Sequence, residues 1–209
     1  QNEQVQEAIL RTRRIATLPV GHMGKIRLIK ASPMKVVVAT NQWAEARSKL
    51  IKTLRSEITT VIWGEKRKMR AIEILYGVLY DATVIDPYLA ARWQVFANAR
   101  RMVAKSAVML YTAKRVIKVK IWQKASDDVV VAPGPVEWLM RTAIQVGMTV
   151  TVNDDDDIVL ERKQRAPIPF IDWGKKAWQG ALKEQMRGAL IESLHNEVKI
   201  GVDKDRSGF

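Results

Sequence analysis

Residues 63–75 read WGEKRKMRAIEIL and join two segments whose apolar residues recur at helical spacing. An aromatic residue, Trp63, ends the first segment, and Gly64 allows the chain to turn. Four cations then follow in close succession: Lys66, Arg67, Lys68 and Arg70. The stretch predicts a helical hairpin with a positively charged tip, in which Ile72 and Leu75 anchor the second helix in the core.

Helical spacing of apolar residues continues on both sides of this stretch. Residues 43–63 place their apolar side chains on one helical face and their cations on another. Asp86 and Pro87 are residue types that favour the N-cap and the first position of a helix, so a long helix is expected from there. Residues 117–121 alternate between apolar and basic, which fits a strand and a helix end equally well.

The last third of the chain has a different character. Residues 125–134 are rich in Ser, Asp, Pro and Gly, which predicts a linker. A short helix is expected to open at Pro135, and two strands are expected to flank residues 153–157 as a hairpin. Pro167 and Pro169 should interrupt the chain before a last long helix.

The composition is that of a globular protein, and it excludes several classes of site. Hydrophobic residues make up 47% of the 209 residues and charged residues 27%, which is too apolar for a disordered chain. Cysteine is absent, so disulfides and thiolate metal sites are excluded. No apolar run approaches the roughly 18 residues of a membrane span. We expect no cofactor, no metal, no membrane and no small-molecule substrate.

Positive charge is concentrated in the first part of the chain. Residues 1–124 hold 24 Lys and Arg against 8 Asp and Glu, a net charge of +16. Residues 125–209 hold 11 against 14, a net charge of −3. A strongly basic segment of this size favours a polyanionic partner, and nucleic acid in particular.

The cations of this segment are the predicted RNA-binding residues, because phosphate contact needs only charge and donors within reach. They are Arg11, Arg13, Arg14, Lys25, Arg27, Lys30, Lys66, Arg67, Lys68, Arg70, Arg100, Arg101, Lys105, Lys114, Arg115, Lys118 and Lys120. Trp63 and Trp122 lie beside cationic runs and are candidates for stacking on unpaired bases, although packing in a core or an interface is the stronger expectation for both.

The acidic run Asp154–Asp157 is the stretch that most suggests a metal site. Neighbouring side chains in a strand point to opposite faces, so four consecutive carboxylates do not converge on one ion. Asp also favours turns, and we therefore expect a solvated acidic turn. His22 has no partner acid or nucleophile near it in the sequence. No catalytic residue is predicted.

Short motifs follow one another along the chain in an order that is itself informative. They are RIATLP at residues 14–19, GKIRLI at 24–29, WG at 63–64, RAIEIL at 70–75, VIDP at 84–87, GPVEWL at 134–139, VGMTV at 146–150 and AW at 177–178. In this order and spacing they resemble the region that follows the catalytic palm in LINE-like (non-LTR) retrotransposon reverse transcriptases of protists. The resemblance covers residues 8–195 and implies a thumb hairpin at residues 63–75.

A reverse transcriptase also needs a palm with an aromatic-x-Asp-Asp hairpin and a further Asp to hold two divalent metals. That palm would lie upstream of Gln1, and no such motif occurs in residues 1–209. The resemblance therefore implies a nucleic-acid cradle and no polymerase activity. We expect a mainly α fold, divided into a basic thumb-like helical bundle at 1–124, a linker at 125–134, a small C-terminal α+β module with one β-hairpin at 135–198, and a tail at 199–209.

Charge and resemblance together predict a non-catalytic RNA-binding structural protein. Its expected setting is a large ribonucleoprotein, and a ribosome is the preferred example, with the mitochondrion as the favoured compartment. There it would contact ribosomal RNA and neighbouring proteins. Two alternatives remain open. The chain could be the C-terminal thumb portion of an active retrotransposon reverse transcriptase, or a basic helical adaptor that binds protein or anionic lipid.

Overall fold

The computed structural model describes residues 2–40, 48–64, 75–76, 80–126 and 134–206. Most of them are helical. The described helices are α1 (Asn2–Thr17), α2 (His22–Ala31), α3 (Pro33–Thr40), α4 (Ser48–Trp63), α5 (Ala82–Ile85), α6 (Pro87–Lys105), α7 (Ala107–Ser126), α8 (Pro135–Ile144) and α9 (Lys175–Arg206). The described strands are β1 (Met148–Val152), β2 (Ile158–Arg162) and β3 (Arg165–Pro169). The prediction of a mainly α protein with a small β element near its C-terminus is confirmed.

Contacts divide the chain into two compact units. Unit 1 comprises residues 1–91 and 186–209, and unit 2 comprises residues 92–185. The two boundaries fall within α6 and α9. The linker expected at 125–134 stays a prediction, because residues 127–133 lie outside the described residues. Where the sequence predicted a tail from residue 199, α9 continues to Arg206.

Unit 1 is built on the packing of α1 against α3 and α4. Val5, Ala8 and Ile15 of α1 are buried and recur at the spacing of one helical face. Leu54 and Ile58 of α4 are completely buried, as the periodicity of residues 43–63 predicted. Burying a Leu or Ile side chain contributes roughly 1.5–3 kcal/mol, so this apolar face is the main source of stability for the unit.

The start of α6 follows the predicted capping pattern. The Oδ1 atom of Asp86 accepts a hydrogen bond of 2.9 Å from the backbone N–H of Leu89, and Pro87 occupies the first helical position. The helix ends at Lys105. Ser106 then caps α7, since its Oγ atom lies 3.3 Å from the backbone nitrogen of Met109. The ambiguous residues 117–121 are helical and belong to α7.

The core of unit 2 is aromatic. Trp178 is buried, and its ring meets that of Phe170 edge-on at 6.0 Å between centroids and that of Trp93 at 5.8 Å. Edge-to-face pairs of this kind are stabilised by the ring quadrupoles in addition to apolar burial. Phe96 of α6 is completely buried in the same unit. These rings hold the sheet and the first turns of α9 in place.

The β element is a three-stranded antiparallel sheet in the order β1-β2-β3, where the sequence predicted a single hairpin. The sequence does not indicate β3, because Pro167 and Pro169 lack the N–H that a strand donates and ordinarily interrupt it. Phe170 donates its N–H to the carbonyl of Ile158 on β2, so the alternation of a strand directs the backbone nitrogens of Pro167 and Pro169 away from β2. An edge strand therefore accepts both prolines without losing a hydrogen bond to β2.

Candidate nucleic-acid interface

The predicted cationic tip falls on residues that lie outside the described part of the chain. These are Lys66, Arg67, Lys68 and Arg70, together with Ile72, and the roles expected of them stay predictions. Leu75, the other expected anchor of the second helix, is described and is 1% exposed. The prediction that Leu75 packs in the core is therefore confirmed.

The two tryptophans considered for base stacking differ in what the structure describes. The side chain of Trp122 lies outside the described residues, and its role stays a prediction. Trp63 closes α4 and is 41% exposed. It stands directly before Gly64, whose φ of 87° only glycine adopts readily. The helix thus ends with an aromatic ring partly open to solvent.

Five of the predicted RNA-binding cations form ion pairs within the protein. The pairs are Arg11 with Glu7 at 2.9 Å, Arg13 with Glu57 at 2.8 Å, Lys114 and Lys118 with Asp156 at 3.2 and 2.7 Å, and Lys120 with Glu137. Their charge is already offset by a carboxylate. A phosphate would therefore gain less from them than from an unpaired cation.

Two further cations hydrogen-bond to backbone carbonyls. Lys25 donates to the carbonyl of Ala16 near the C-terminal end of α1, where a positive charge is favourable. Arg100 donates to the carbonyls of Phe170, Ile171 and Trp173 at 2.7, 3.0 and 2.6 Å. Its guanidinium also lies 4.9 Å from the ring centroid of Trp178. Because these contacts engage Nε and Nη2 and fix the guanidinium, Arg100 is a structural residue of unit 2, and we leave it out of the interface.

Six predicted cations have exposed side chains and no carboxylate partner among the residues that the structure describes. In unit 1 they are Arg14, Arg27 and Lys30, and in unit 2 they are Arg101, Lys105 and Arg115. We call these six residues the unpaired cations. Arg27 and Lys30 are three positions apart on α2, and Arg101 and Lys105 are four apart on α6, so each pair shares one helical face.

The helices α6 and α7 carry an unusual charge pattern. Residues 87–126 contain nine Lys and Arg and no Asp or Glu. Their acidic partners therefore come from other elements, such as Asp156 in the turn between β1 and β2 and Glu137 on α8. Lys118 and Lys114 hold the pKa of Asp156 below its ordinary value through hydrogen bonds. The hydrogen bond from Lys120, with a second from Arg141, likewise lowers the pKa of Glu137.

A buried polar cluster lies in unit 1 at the start of α6. Asp86 is completely buried, and its Oδ2 atom lies 2.6 Å from Nε of Arg55, with the geometry of an ion pair and not of a straight hydrogen bond. A second nitrogen of Arg55, Nη2, donates to Oδ1 of Asp86 at 3.1 Å. The guanidinium carbon also lies 4.4 Å from the ring centroid of Tyr88. Burial disfavours the charge of Arg55, but Asp86 outweighs that effect and raises the pKa of the guanidinium.

Tyr76 completes this cluster. Its hydroxyl lies 3.2 Å from Oγ1 of Thr59, and its side chain is completely buried. Burial, together with the negative charge of Asp86, raises the pKa of Tyr76 far above its ordinary value. The phenol therefore stays protonated, and the cluster is a neutralised structural element with one cation and one anion.

The acidic run forms the predicted turn. The backbone N–H of Asp157 donates to Oδ1 of Asn153 at 2.7 Å, and Asp156 adopts a left-handed φ of 61°. Within the described residues no three His, Asp or Glu side chains come together as ligands for a metal ion. None of the described helices is both long enough and apolar enough to span a membrane. His22 opens α2, and its Nε2 atom lies 2.8 Å from the hydroxyl of Tyr80.

One exposed aromatic residue was not singled out by the sequence. Tyr111 lies on α7 four positions before Arg115, with Val108 and Val119 on the same face. We call Val108, Tyr111, Arg115 and Val119 the α7 ridge. The spacing of three, four and four residues would have identified this face, but only for a chain segment already assigned as a helix.

A comparison of the chain with protein-family models, with curated proteins and with solved structures found no match. The resemblance to the post-palm region of retrotransposon reverse transcriptases therefore stays a prediction, carried by the motifs alone.

Proposed function

We propose that this protein binds structured RNA as a non-catalytic component of a large ribonucleoprotein, with a ribosome as the first example to test. The six unpaired cations carry the proposal. They are exposed, they occur in both units, and no described carboxylate offsets their charge. Phosphate groups would supply the missing counter-charge, and each contact would release a counterion from the RNA.

The division of the cations into paired and unpaired sets supports this function more sharply than net charge does. A basic surface that serves solubility alone tolerates random pairing with nearby acids. Here α6 and α7 lack acids over 40 consecutive residues. Arg101, Lys105 and Arg115 therefore have no acid within their own helices, and their charge remains available to a ligand.

A binding titration at several salt concentrations tests the proposal. The full chain is titrated into a fluorescein-labelled structured RNA, and the logarithm of the association constant is plotted against the logarithm of the salt concentration. Replacing Arg101, Lys105 and Arg115 by Gln should weaken binding and reduce the slope by up to about 0.9 for each phosphate that is no longer bound. Replacing Arg14, Arg27 and Lys30 by Gln should act in the same direction.

The matched control removes the same amount of charge from paired cations. The side chains of Arg13 and Lys118 are 57% and 58% exposed and that of Arg11 is 41% exposed, and each already has a carboxylate partner. Their replacement by Gln should reduce the slope less than either unpaired set does. Equal effects from all three triple variants would show that the chain binds RNA through diffuse charge alone. An affinity of the unsubstituted chain that stays flat as salt rises would overturn the proposal.

The setting is tested by what accompanies the native protein. Ribosomal RNA that co-purifies through a high-salt wash would support the ribonucleoprotein assignment. Recovery of the protein free of RNA, or on lipid vesicles in a flotation experiment without RNA, would instead favour a basic helical adaptor.

A further inference from the structure

The α7 ridge is the most exposed apolar surface of unit 2 among the residues that the structure describes. Val108 is 74% exposed, Tyr111 67% and Val119 44%, whereas Ile117 on the opposite face of the same helix is completely buried. The helix therefore buries Ile117 and leaves the ridge open to solvent; Met109 and Ile121, which lie outside the ridge, are less exposed than Val108 and Tyr111, at 43% and 40%. At 1.5 Å per residue the ridge runs for roughly 16 Å along the helix.

The ridge has no evident role in stabilising the described part of the fold. Tyr111 makes no ring contact and no side-chain hydrogen bond with any described residue. Arg115 is exposed and belongs to the unpaired cations. Solvent-exposed Val and Tyr side chains gain nothing from burial in the fold, so their grouping along one helical face points to a ligand.

Charge restricts what that ligand can be. The ridge carries one cation, Arg115, which has no described carboxylate partner, whereas Lys114, Lys118 and Lys120 of the same helix are paired with Asp156 and Glu137. The charge of Arg115 disfavours a basic partner surface at the ridge. A ligand that is anionic and also offers apolar surface to Tyr111 and Val108 fits both features of the ridge. Unpaired RNA meets both conditions, because its backbone is anionic and its base faces are free. A duplex meets only the first, since its base faces are stacked inside.

We infer that the α7 ridge is a binding site for unpaired nucleotides, in which a base stacks on Tyr111 and the adjacent phosphate pairs with Arg115. This inference rests on the proposed RNA-binding function and specifies the form of RNA that this site takes. Arg115 lies one helical turn after Tyr111, and Val108 lies one turn before it. The ring of Tyr111 thus lies between Arg115, which would pair with the RNA phosphate, and Val108, which would contact the edge of the stacked base.

The test compares single-stranded with double-stranded RNA. Fluorescence anisotropy of the full chain is measured with a short labelled oligouridylate and with a perfectly paired RNA duplex in the same buffer. Tyr111→Ala should weaken binding of the oligouridylate by about tenfold, the typical loss for one base–aromatic stack, and should leave duplex binding unchanged. Tyr111→Phe keeps the ring and should bind like the unsubstituted chain.

Two further variants separate stacking from charge and from apolar truncation in general. Arg115→Gln should weaken binding of both RNAs and reduce the salt slope by about one. Ile144→Ala removes another exposed apolar side chain of unit 2, which is 55% exposed at the end of α8, and should change neither affinity. Circular dichroism should show the same helical signal for all variants, because each replaced side chain is exposed.

The possible outcomes distinguish the two proposals. If Tyr111→Ala leaves the oligouridylate affinity unchanged while salt-dependent binding to RNA persists, the inference is wrong and the RNA-binding function stands; the ridge then belongs to a protein contact. Binding of neither RNA by the unsubstituted chain would overturn both. If Tyr111→Ala loses affinity for the oligouridylate and not for the duplex, while Tyr111→Phe binds the oligouridylate like the unsubstituted chain, both proposals are supported.

Discussion

Arg55 in unit 1 and Arg100 in unit 2 each make several contacts within the protein, and the two units satisfy these arginines in different ways. In unit 1 Arg55 pairs with the carboxylate of Asp86, which is completely buried and also caps α6. In unit 2 Arg100 donates to three backbone carbonyls and lies over the ring of Trp178, with no carboxylate among its described partners. The first arrangement cancels the charge, whereas the second keeps a net positive charge and spreads it over peptide dipoles.

The difference shows why net charge is a poor guide to an RNA-binding surface. Arg100 and Arg101 are neighbours in the sequence, yet Arg100 holds the loop between β3 and α9 while Arg101 is exposed and has no described carboxylate partner. A cation that is partly withdrawn from water needs protein acceptors for its donors, and Arg100 finds them in the backbone carbonyls of that loop. The cations available to a ligand are those that, like Arg101, are exposed and have no described carboxylate partner.

The largest effect is expected from removing the anion of unit 1. Asp86→Ala leaves Arg55 enclosed without its partner and removes the N-cap of α6 at the same time. Loss of one member of a buried ion pair typically costs about 3–5 kcal/mol. We expect a decrease of that order in the free energy of unfolding, measured by urea denaturation followed by circular dichroism.

Asp86→Asn serves as the control for this prediction. Asn is as good an N-cap as Asp, so this variant retains the cap and loses the charge alone. It should be more stable than Asp86→Ala and less stable than the unsubstituted chain. Equal stability of Asp86→Asn and the unsubstituted chain would mean that the cap, and not the ion pair, carries the effect.

Replacement of the arginine of unit 2 should have a smaller but clear effect. Arg100→Lys keeps the charge but cannot reach the carbonyls of Phe170, Ile171 and Trp173 with the fork geometry of a guanidinium. A hydrogen bond from a charged donor contributes about 1.5–3 kcal/mol, and we expect a loss in this range. Thermal unfolding measures it. If RNA affinity fell while stability stayed the same, Arg100 would be a ligand contact and the contrast between the two arginines would not hold.

The buried phenol of Tyr76 should make the free energy of unfolding depend on pH in the alkaline range. The pKa of Tyr76 is raised above its ordinary value of 10.0, first by burial and then by the charge of Asp86. The folded state thus keeps this proton longer than the unfolded state does. The stabilisation is complete below the ordinary pKa and is lost as the pH rises above it toward the folded-state pKa.

Tyr76→Phe tests this dependence. The variant has no phenolic proton, so its free energy of unfolding should fall less steeply above about pH 10 than that of the unsubstituted chain. Urea titrations at neutral and alkaline pH give both slopes, with the other tyrosines and lysines common to the two proteins. Parallel slopes would show that Tyr76 is not enclosed as described.

The smallest effect concerns surface cations that are already paired. Asp156→Asn releases Lys114 and Lys118 from the turn between β1 and β2. Both lysines then become available to phosphate, and RNA affinity should increase by a small factor, roughly two- to three-fold. Asp155→Asn removes the same charge from the neighbouring position and is the matched control. A decrease in affinity with Asp156→Asn would show that the turn itself contacts the RNA.

The sequence predicted local features well where one residue type decides the outcome. The cap formed by Asp86 and Pro87, the buried face of α4 and the turn at residues 153–157 are present as expected. Where tertiary context decides, the sequence left the outcome open. Residues 117–121 fitted a strand and a helix end equally well; in the fold they are helical, with Ile117 buried and Val119 and Ile121 44% and 40% exposed.

The sequence predicted which residue types form the candidate site, but it did not predict which of these residues are exposed and unpaired. Charge identified the basic segment, but only the fold separates Arg115, which has no described carboxylate partner, from Lys120, which binds Glu137. The shared partner of Lys114 and Lys118, Asp156, lies about forty residues away in sequence, so no local rule assigns it. Tyr111 was overlooked for the same reason, because its exposure depends on which face of α7 meets the core.

The prolines of β3 have a consequence for the behaviour of the protein at high concentration. An exposed sheet edge is a template on which strands of other molecules add and form aggregates. At this edge Pro167 and Pro169 occupy the outward positions, and neither has an N–H to offer to an incoming strand. Addition of a further strand on the β3 side of the sheet is therefore disfavoured, and together with the net charge of +13 this should limit aggregation.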